Sequence, residues 1–517
     1  MLIIKRLSVY AAVLTCITVV IIAILISACN SAIKNNTITQ DIREGEVLSQ
    51  KYCGSCHQYP KPALLSKNMW EMAILPNMAV KLGLQTEMGQ IYADKQSLVN
   101  VADWKKIVAY YKATAPAKLL IPTSDAVEDW AIFKLKRPAH TDGSATAMTT
   151  MIKFNPFDKI LYTADAGNNL YRWDAGLNFT LVKKMASPVS DAEFFKTAGS
   201  KSMGVFTCIG VMPPNDYREG RLEQLDLSIK KPLITTLADS LPRPVQLAAG
   251  DFNNDNLQDY IVCGFGNTKG ALFLVTQQVN GAFKKNVIRP VPGAIELQTG
   301  DFNKDGWLDF ICQFAQADEG LWLFLNDKKG GFSSKRLISF PPVYGTYSFQ
   351  LADVNNDGLQ DVIYICGDNN DLSPILKPYH GVYIFTNQGN WQFKQTLFRH
   401  INGASKAMAA DFDGDGDMDI ATIAFFPDFK DNPKEGFTYM EQTEKGKYKT
   451  YNIPIHTEGR WLVMETSDID NDGDPDIILG NFSIYEEKLL NQKDFKPNWN
   501  AHQPIIVLEN TSAKNHR

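Results

Sequence analysis

The chain has 517 residues, 44% of them hydrophobic and 21% charged, so it is long enough for several domains and too apolar to be disordered throughout. Lys plus Arg number 52 against 57 Asp plus Glu, a formal charge of −5 that argues against a nucleic-acid partner. Eight cysteines are too few for a disulfide scaffold of this size.

The N-terminus reads as a targeting segment. Lys5 and Arg6 precede an uncharged run from Leu7 to Ala28, and Cys29 follows in Ile26-Ser27-Ala28-Cys29. The run is also long enough to span a bilayer, so an uncleaved anchor and a plain secretory signal are the competing readings. Small residues directly before a cysteine resemble a bacterial lipoprotein signal. That resemblance implies a signal peptide over 1–28, lipidation at Cys29, a membrane lipid anchor and an extracytoplasmic location in the periplasm or at the cell surface. Residues 29–41, rich in Asn, Thr, Ser and Gln, read as a flexible tether.

Residues 42–116 carry the motif Cys53-Gly54-Ser55-Cys56-His57. Two thiols one helical turn apart, followed by an imidazole, form the attachment pattern for c-type haem. A surface disulfide and half of a zinc site are the alternatives. Flanking patterns predict a helix leading into the motif and a second helix over Val101 to Thr114, with Val101, Trp104, Val108 and Tyr111 on one face and Pro116 ending it. The arrangement resembles a small all-α c-type cytochrome domain, whose first and last helices cross. The resemblance implies haem c bound through Cys53 and Cys56, His57 as one axial ligand, and a close crossing at Gly45 packed by an aromatic such as Tyr111. For the second axial ligand, Met78 in Leu75-Pro76-Asn77-Met78 is placed in a Pro-flanked loop, with Met88 as runner-up and an open position or another ligand as the further alternative. Met69 and Met72, flanking Trp70, read as core.

A connector over 117–139 follows, in which Trp130 to Lys136 is read as a strand that closes a ring with the last strands of the chain, near Ile505 to Leu508. Residues 140–510 are repeats, and 511–517 a tail. Five acidic segments start at Asp251, Asp301, Asp353, Asp411 and Asp468, spaced 50, 52, 58 and 57 residues apart. Each sits between apolar strand patterns, and two degenerate units precede them. Four short strands every fifty residues fit an all-β propeller, and five plus two units make seven blades.

Within each acidic segment, oxygen ligands at positions 1, 3, 5 and 9 and a carbonyl at 7 are spaced to wrap a hard cation, calcium. The candidates are Asp251, Asn253, Asp255, Leu257 and Asp259; Asp301, Asn303, Asp305, Trp307 and Asp309; and Asp353, Asn355, Asp357, Leu359 and Asp361. The fourth and fifth sets are Asp411, Asp413, Asp415, Asp417 and Asp419, and Asp468, Asp470, Asp472, Asp474 and Asp476. Position 6 is Gly in four loops and Asn256 in the first, which predicts positive φ there. A metal-free Asx turn is the alternative. The repeats resemble the FG-GAP/VCBS family, which implies a seven-bladed propeller with calcium between the first two strands of a blade.

Long connections after the second strands (Gly367 to Gly381, Pro427 to Gly436, Asn481 to Gln503) mark the opposite face as a binding surface. Arg243, Glu296, Tyr347, Lys406 and Arg460 are expected at the channel rim on that face, where they would hold an anionic or polar ligand or meet the haem domain, with a solvated, purely structural rim as the alternative. Cys208, Cys263, Cys312 and Cys366 read as buried thiols in strands. The expected function is a membrane-anchored electron-transfer haem protein whose propeller docks a redox partner or ligand. A glycan- or protein-binding propeller with accessory haem is one alternative, and a haem-coupled dehydrogenase of a small substrate is another. No GxSxG, HExxH or nucleotide-binding glycine loop supports an enzyme.

Overall fold

The computed structural model describes residues 39–87, 90–139, 145–369, 373–484 and 496–512. Cys29, Met88 and the signal segment lie outside the described residues. The chain divides into two compact units with the break after Leu119. Among the described residues, no helix is long and apolar enough to cross a membrane.

The first unit is mainly helical. Residues 39–53 form a helix that runs into the Cys53–His57 motif. The last helix, Val101–Thr114, is capped by Asn100, whose side chain accepts from the Asp103 amide, and ends before Pro116. The two helices cross where Gly45 meets the backbone of Lys106. A Cβ at Gly45 would lie 2.1 Å from the Lys106 carbonyl oxygen and 2.9 Å from Tyr110 Cβ. An ion pair between Glu44 and Lys106 flanks the crossing. The expected aromatic at this point is thus Tyr110 rather than Tyr111. The buried face of the last helix is Trp104, Ile107, Tyr110 and Tyr111, rotated from the expected one, and Val101 and Val108 are half-buried.

Between these helices lies one helical stretch over 67–81, whose segment Trp70–Ile74 is π-helical. Pro76 explains the wide turn: its ring would clash with the carbonyl four residues back, that of Met72. Met78 therefore sits in the helix Leu75–Lys81 and not in a loop, and it is half-buried. Met72 is 74% exposed, so it is not a core residue. Trp70 is the anchor instead: its Nε1 donates to the Pro62 carbonyl at 2.8 Å, and its ring lies 4.4 Å from that of Tyr111.

The second unit is a ring of seven antiparallel sheets, or blades, each entered by its innermost strand. These inner strands are Thr149–Asn155, Val189–Lys196, Pro244–Gly250, Ala294–Gly300, Thr346–Ala352, Ala404–Ala410 and Trp461–Ser467, for blades 1 to 7. Inner strands of successive blades touch, and that of blade 7 touches that of blade 1. Phe133–Lys136 forms the outermost strand of blade 7, pairing antiparallel with Ile505–Asn510 in the register Leu135 to Leu508. The ring is closed by joining its two ends in one sheet, as expected. Val127–Glu128 adds a parallel fifth strand to blade 6.

Apolar side chains on the blade faces bury one another between neighbouring blades. Phe252, Ile261 and Leu272 of blade 3 pack with Leu297, Phe310 and Phe324 of blade 4. Strand two of each late blade is buried along its whole length, as in Asp361–Cys366. Cys208, Cys263, Cys312 and Cys366 are buried free thiols in the second strands of blades 2 to 5. Polar side chains then tie the inner strands together. Gln246 accepts from the Leu297 amide at 2.6 Å, Gln298 from Leu351 at 3.1 Å, and Gln350 from Ala409 at 2.6 Å. Blades 3 to 6 are thereby held in register at the axis.

Candidate functional site

In the first unit the helix over 39–53 delivers Cys53 at its end, and a turn carries Cys56. Both thiols are free; Cys53 is half-buried and Cys56 exposed. Burial pushes the Cys53 thiol up to about 11. Tyr111 stands beside Cys53 and is fixed by donating to the Pro60 carbonyl at 2.7 Å. His57 Nδ1 lies 3.1 Å from the Gln58 carbonyl. A proton on Nδ1 leaves the Nε2 lone pair for a metal, the usual arrangement of a ligating imidazole. Thiols, imidazole and the Gly45 crossing therefore fit covalent haem.

The acidic segments of blades 3 to 7 join strand one to strand two, and all five fold alike. The first Asp of each accepts two backbone amides. Asp301 takes those of Asp305 at 2.9 Å and Gly306 at 2.8 Å, and Asp353 those of Asp357 at 3.0 Å and Gly358 at 2.7 Å. The fifth residue accepts from the seventh, as Asp305 does from Trp307 at 3.0 Å. Position 6 has φ of +64° at Asn256, +84° at Gly306 and Gly358, +97° at Gly416 and +104° at Gly473, as expected. Position 4 is also left-handed, at Asn254, Lys304, Asn356, Gly414 and Asn471, which spacing alone did not reveal.

Position 9 begins strand two and is buried. Asp309 accepts from the Phe302 amide at 3.0 Å and from the Asn326 amide of strand three at 2.8 Å, so this carboxylate also pins the loop to its blade. Burial, with smaller effects of neighbouring carboxylates, pushes Asp259 up to about 6 and Asp419 and Asp476 up to about 7. In the fourth loop, oxygens of Asp411, Asp413 and Asp415 lie within 4.8 Å of one another. Oxygens of Asp468, Asp470 and Asp476 do the same in the fifth. Such clusters repel unless a cation joins them, so the donor set and its geometry fit a hard divalent ion. Blades 1 and 2 lack this loop. A short turn joins their first strands, held in blade 1 by Asn155 and Asp158 accepting the amides of Phe157 and Ile160.

The five residues expected at the rim divide into two groups. Glu296 and Lys406 belong to a charge network at the axis with Lys153, Asp191, Glu193 and Glu465. Lys153 pairs with Asp191 at 3.2 Å. Burial, opposed by Lys153, pushes Glu193 up to about 7. The last four members were missed by motif reading. Their signal is a polar residue at alternate positions of an otherwise apolar inner strand, such as Glu465 three residues before Asp468. Arg243 is turned away from any rim role: it donates to the carbonyls of Gly266 and Met212 and stacks on Phe265. Arg460 is 3% exposed and Tyr347 half-buried beside it, so Arg460 is a core cation and not a rim charge.

Ring closure, seven four-stranded blades and the repeated acidic hairpin define a seven-bladed β-propeller. Its blades 3 to 6 carry FG-GAP-like repeats: residues 251–312, 301–364 and 367–422 match the model of that repeat family. No curated protein matches the chain significantly. Among solved structures, the chain is similar to the β-propeller domain of Cps50 (Swd1) from Myceliophteria thermophila, at 9% identity and a TM-score of 0.42, over 72% of this chain and 99% of that one. It is similar to virginiamycin B lyase from Staphylococcus aureus at 10% identity and a TM-score of 0.43, over 73% and 98% of the two chains. An ancestral GH74 enzyme aligns at 9% identity and a TM-score of 0.48, over 75% of this chain and 50% of that enzyme.

Proposed function

We propose that this chain is an extracytoplasmic c-type haem protein, held to a bacterial membrane by lipid on Cys29, that transfers electrons and docks a redox partner or ligand through a calcium-stabilised propeller. The observation that carries the reading is the pair of free thiols, Cys53 and Cys56, beside His57 at the end of a helix that crosses the last helix of its unit at Gly45. Haem at this site supplies one-electron chemistry. The polypeptide's part is to hold it: Cys53 and Cys56 as thioether sulfurs, His57 as axial imidazole, and Met78 or Met88 as the candidate second ligand. Tyr111, packed on Trp70, stands beside Cys53 and contributes to its burial.

Calcium in the five acidic loops neutralises carboxylates that the fold brings together, and its role is structural. Expression with haem-maturation machinery tests the reading. A c-type absorption spectrum that changes on adding dithionite supports it, and a well-folded product without covalent haem refutes it.

A further inference from the structure

Two of the long connections contribute to one buried cation. Arg460 opens into blade 7, and its guanidinium carbon lies 3.6 Å from the ring centre of Phe425, 5.4 Å from Phe426 and 5.7 Å from Phe429. Nε donates to the Phe425 carbonyl at 3.0 Å and Nη1 to the Ile484 carbonyl at 3.2 Å. Nη2 is buried with no hydrogen-bond partner among the described residues. Among the described residues no carboxylate forms an ion pair with Arg460. Buried Glu435, in the connection after strand two of blade 6, accepts instead from the backbone and side chain of Asn402.

Burial lowers the Arg460 guanidinium to about 9, still charged at neutral pH. Aromatic faces attract this cation but do not neutralise it, and among the described residues carbonyls satisfy two of its three nitrogens. A buried charge needs a partner of opposite sign.

Arg460 lines a small cavity together with Phe429, His456, Trp461 and Trp499. Two further lining residues have buried polar atoms without partners among the described residues, Trp461 at Nε1 and His456 at Nδ1. The indole and the guanidinium are donors only. The room is about 20 Å³, close to that of one water molecule. Water there would meet a donor but leave the positive charge uncompensated. A single-atom anion fits the space, accepts from donors and supplies the missing charge.

We infer that this cavity binds one halide-sized monovalent anion, chloride, with Arg460 as its counter-ion and aromatic rings as its walls. The site belongs to the propeller and is independent of haem.

The full chain, with calcium supplied as gluconate, is to be melted in sodium chloride and in sodium gluconate at equal ionic strength. Chloride should raise the propeller midpoint by about 1–2 °C in a saturable way, and R460M should abolish the difference. Chlorine NMR on the wild-type protein gives a second measure if R460M does not fold: the chloride line should broaden and be narrowed by added bromide. Coincident melting curves with an unbroadened line would overturn the assignment. So would broadening retained in R460M, or a larger midpoint rise in formate than in chloride, which would point to a carboxylate-bearing ligand.

Discussion

The helical unit and the propeller hold themselves together in different ways. The propeller pairs its strands in closed sheets and buries a continuous apolar layer between every two blades; Phe133–Lys136 ties the beginning of the ring to its end. The helical unit has short elements, including a hairpin of two three-residue strands, and a small core around Trp70, Trp104, Ile107 and Tyr111. Cores of units below about 70–80 residues rarely suffice without a covalent or metal staple. The lesson is that the propeller's architecture is written in its own packing, with calcium proposed above as reinforcement, whereas the helical unit has a small core that the covalent haem proposed above would staple.

The largest effect that would break this contrast is expected at Gly45. G45V places a branched side chain where even a Cβ would lie 2.1 Å from the Lys106 carbonyl. It should destabilise the helical unit by on the order of 3 kcal/mol or more and leave the propeller transition in place. Calorimetry of the full chain checks this, and an unaffected helical unit would contradict the close crossing. Next comes F133A. Phe133 is 4% exposed and meets the rings of Phe412 and Tyr439 at 6.0 and 5.2 Å. Its loss should cost the propeller about 3–5 kcal/mol by denaturant unfolding.

Chelation should act on the propeller alone. Excess EGTA should lower its melting midpoint by several degrees and leave the haem spectrum unchanged, because a ligand that binds only the folded state stabilises it. Identical curves with and without chelator would refute filled loops. The smallest expected effect sharpens the propeller's own ledger of buried charge. Burial pushes Glu435 up to about 7 from an ordinary 4.5, so the folded state holds a proton that the unfolded chain releases. Its favourable contribution is complete below the unfolded value and fades as pH rises through about 7. E435Q should therefore raise the midpoint by about 1–2 °C near pH 8 and change little near pH 4.

Much of the fold was legible because repeats impose rigid spacing. The interval from Asp301 to Asp353 already states one blade, and Gly at position 6 states its left-handed turn. The closing strand was legible because a ring must end beside its beginning. Legibility failed where three-dimensional context decides. The buried face of Val101–Thr114 is set by the crossing at Gly45, so Ile107 and Tyr110 displaced Val101 and Val108 from the core. Pro76 suggested a loop, but a π turn accommodates it and keeps Met78 helical. Charges at the axis come from different blades, far apart in sequence, and no local motif announces Lys153 with Asp191. Arg460 looked like a rim cation because its position faces the long connections; only the three Phe rings around it show that it is buried.

The most direct test of the account is the intact mass of the full chain after expression with haem-attachment machinery, taken together with its absorption spectrum. The account predicts a product heavier by one haem, with a c-type spectrum, and the loss of both in the C53S/C56S variant. A folded, calcium-responsive protein with the mass of the bare or merely lipidated polypeptide would contradict it.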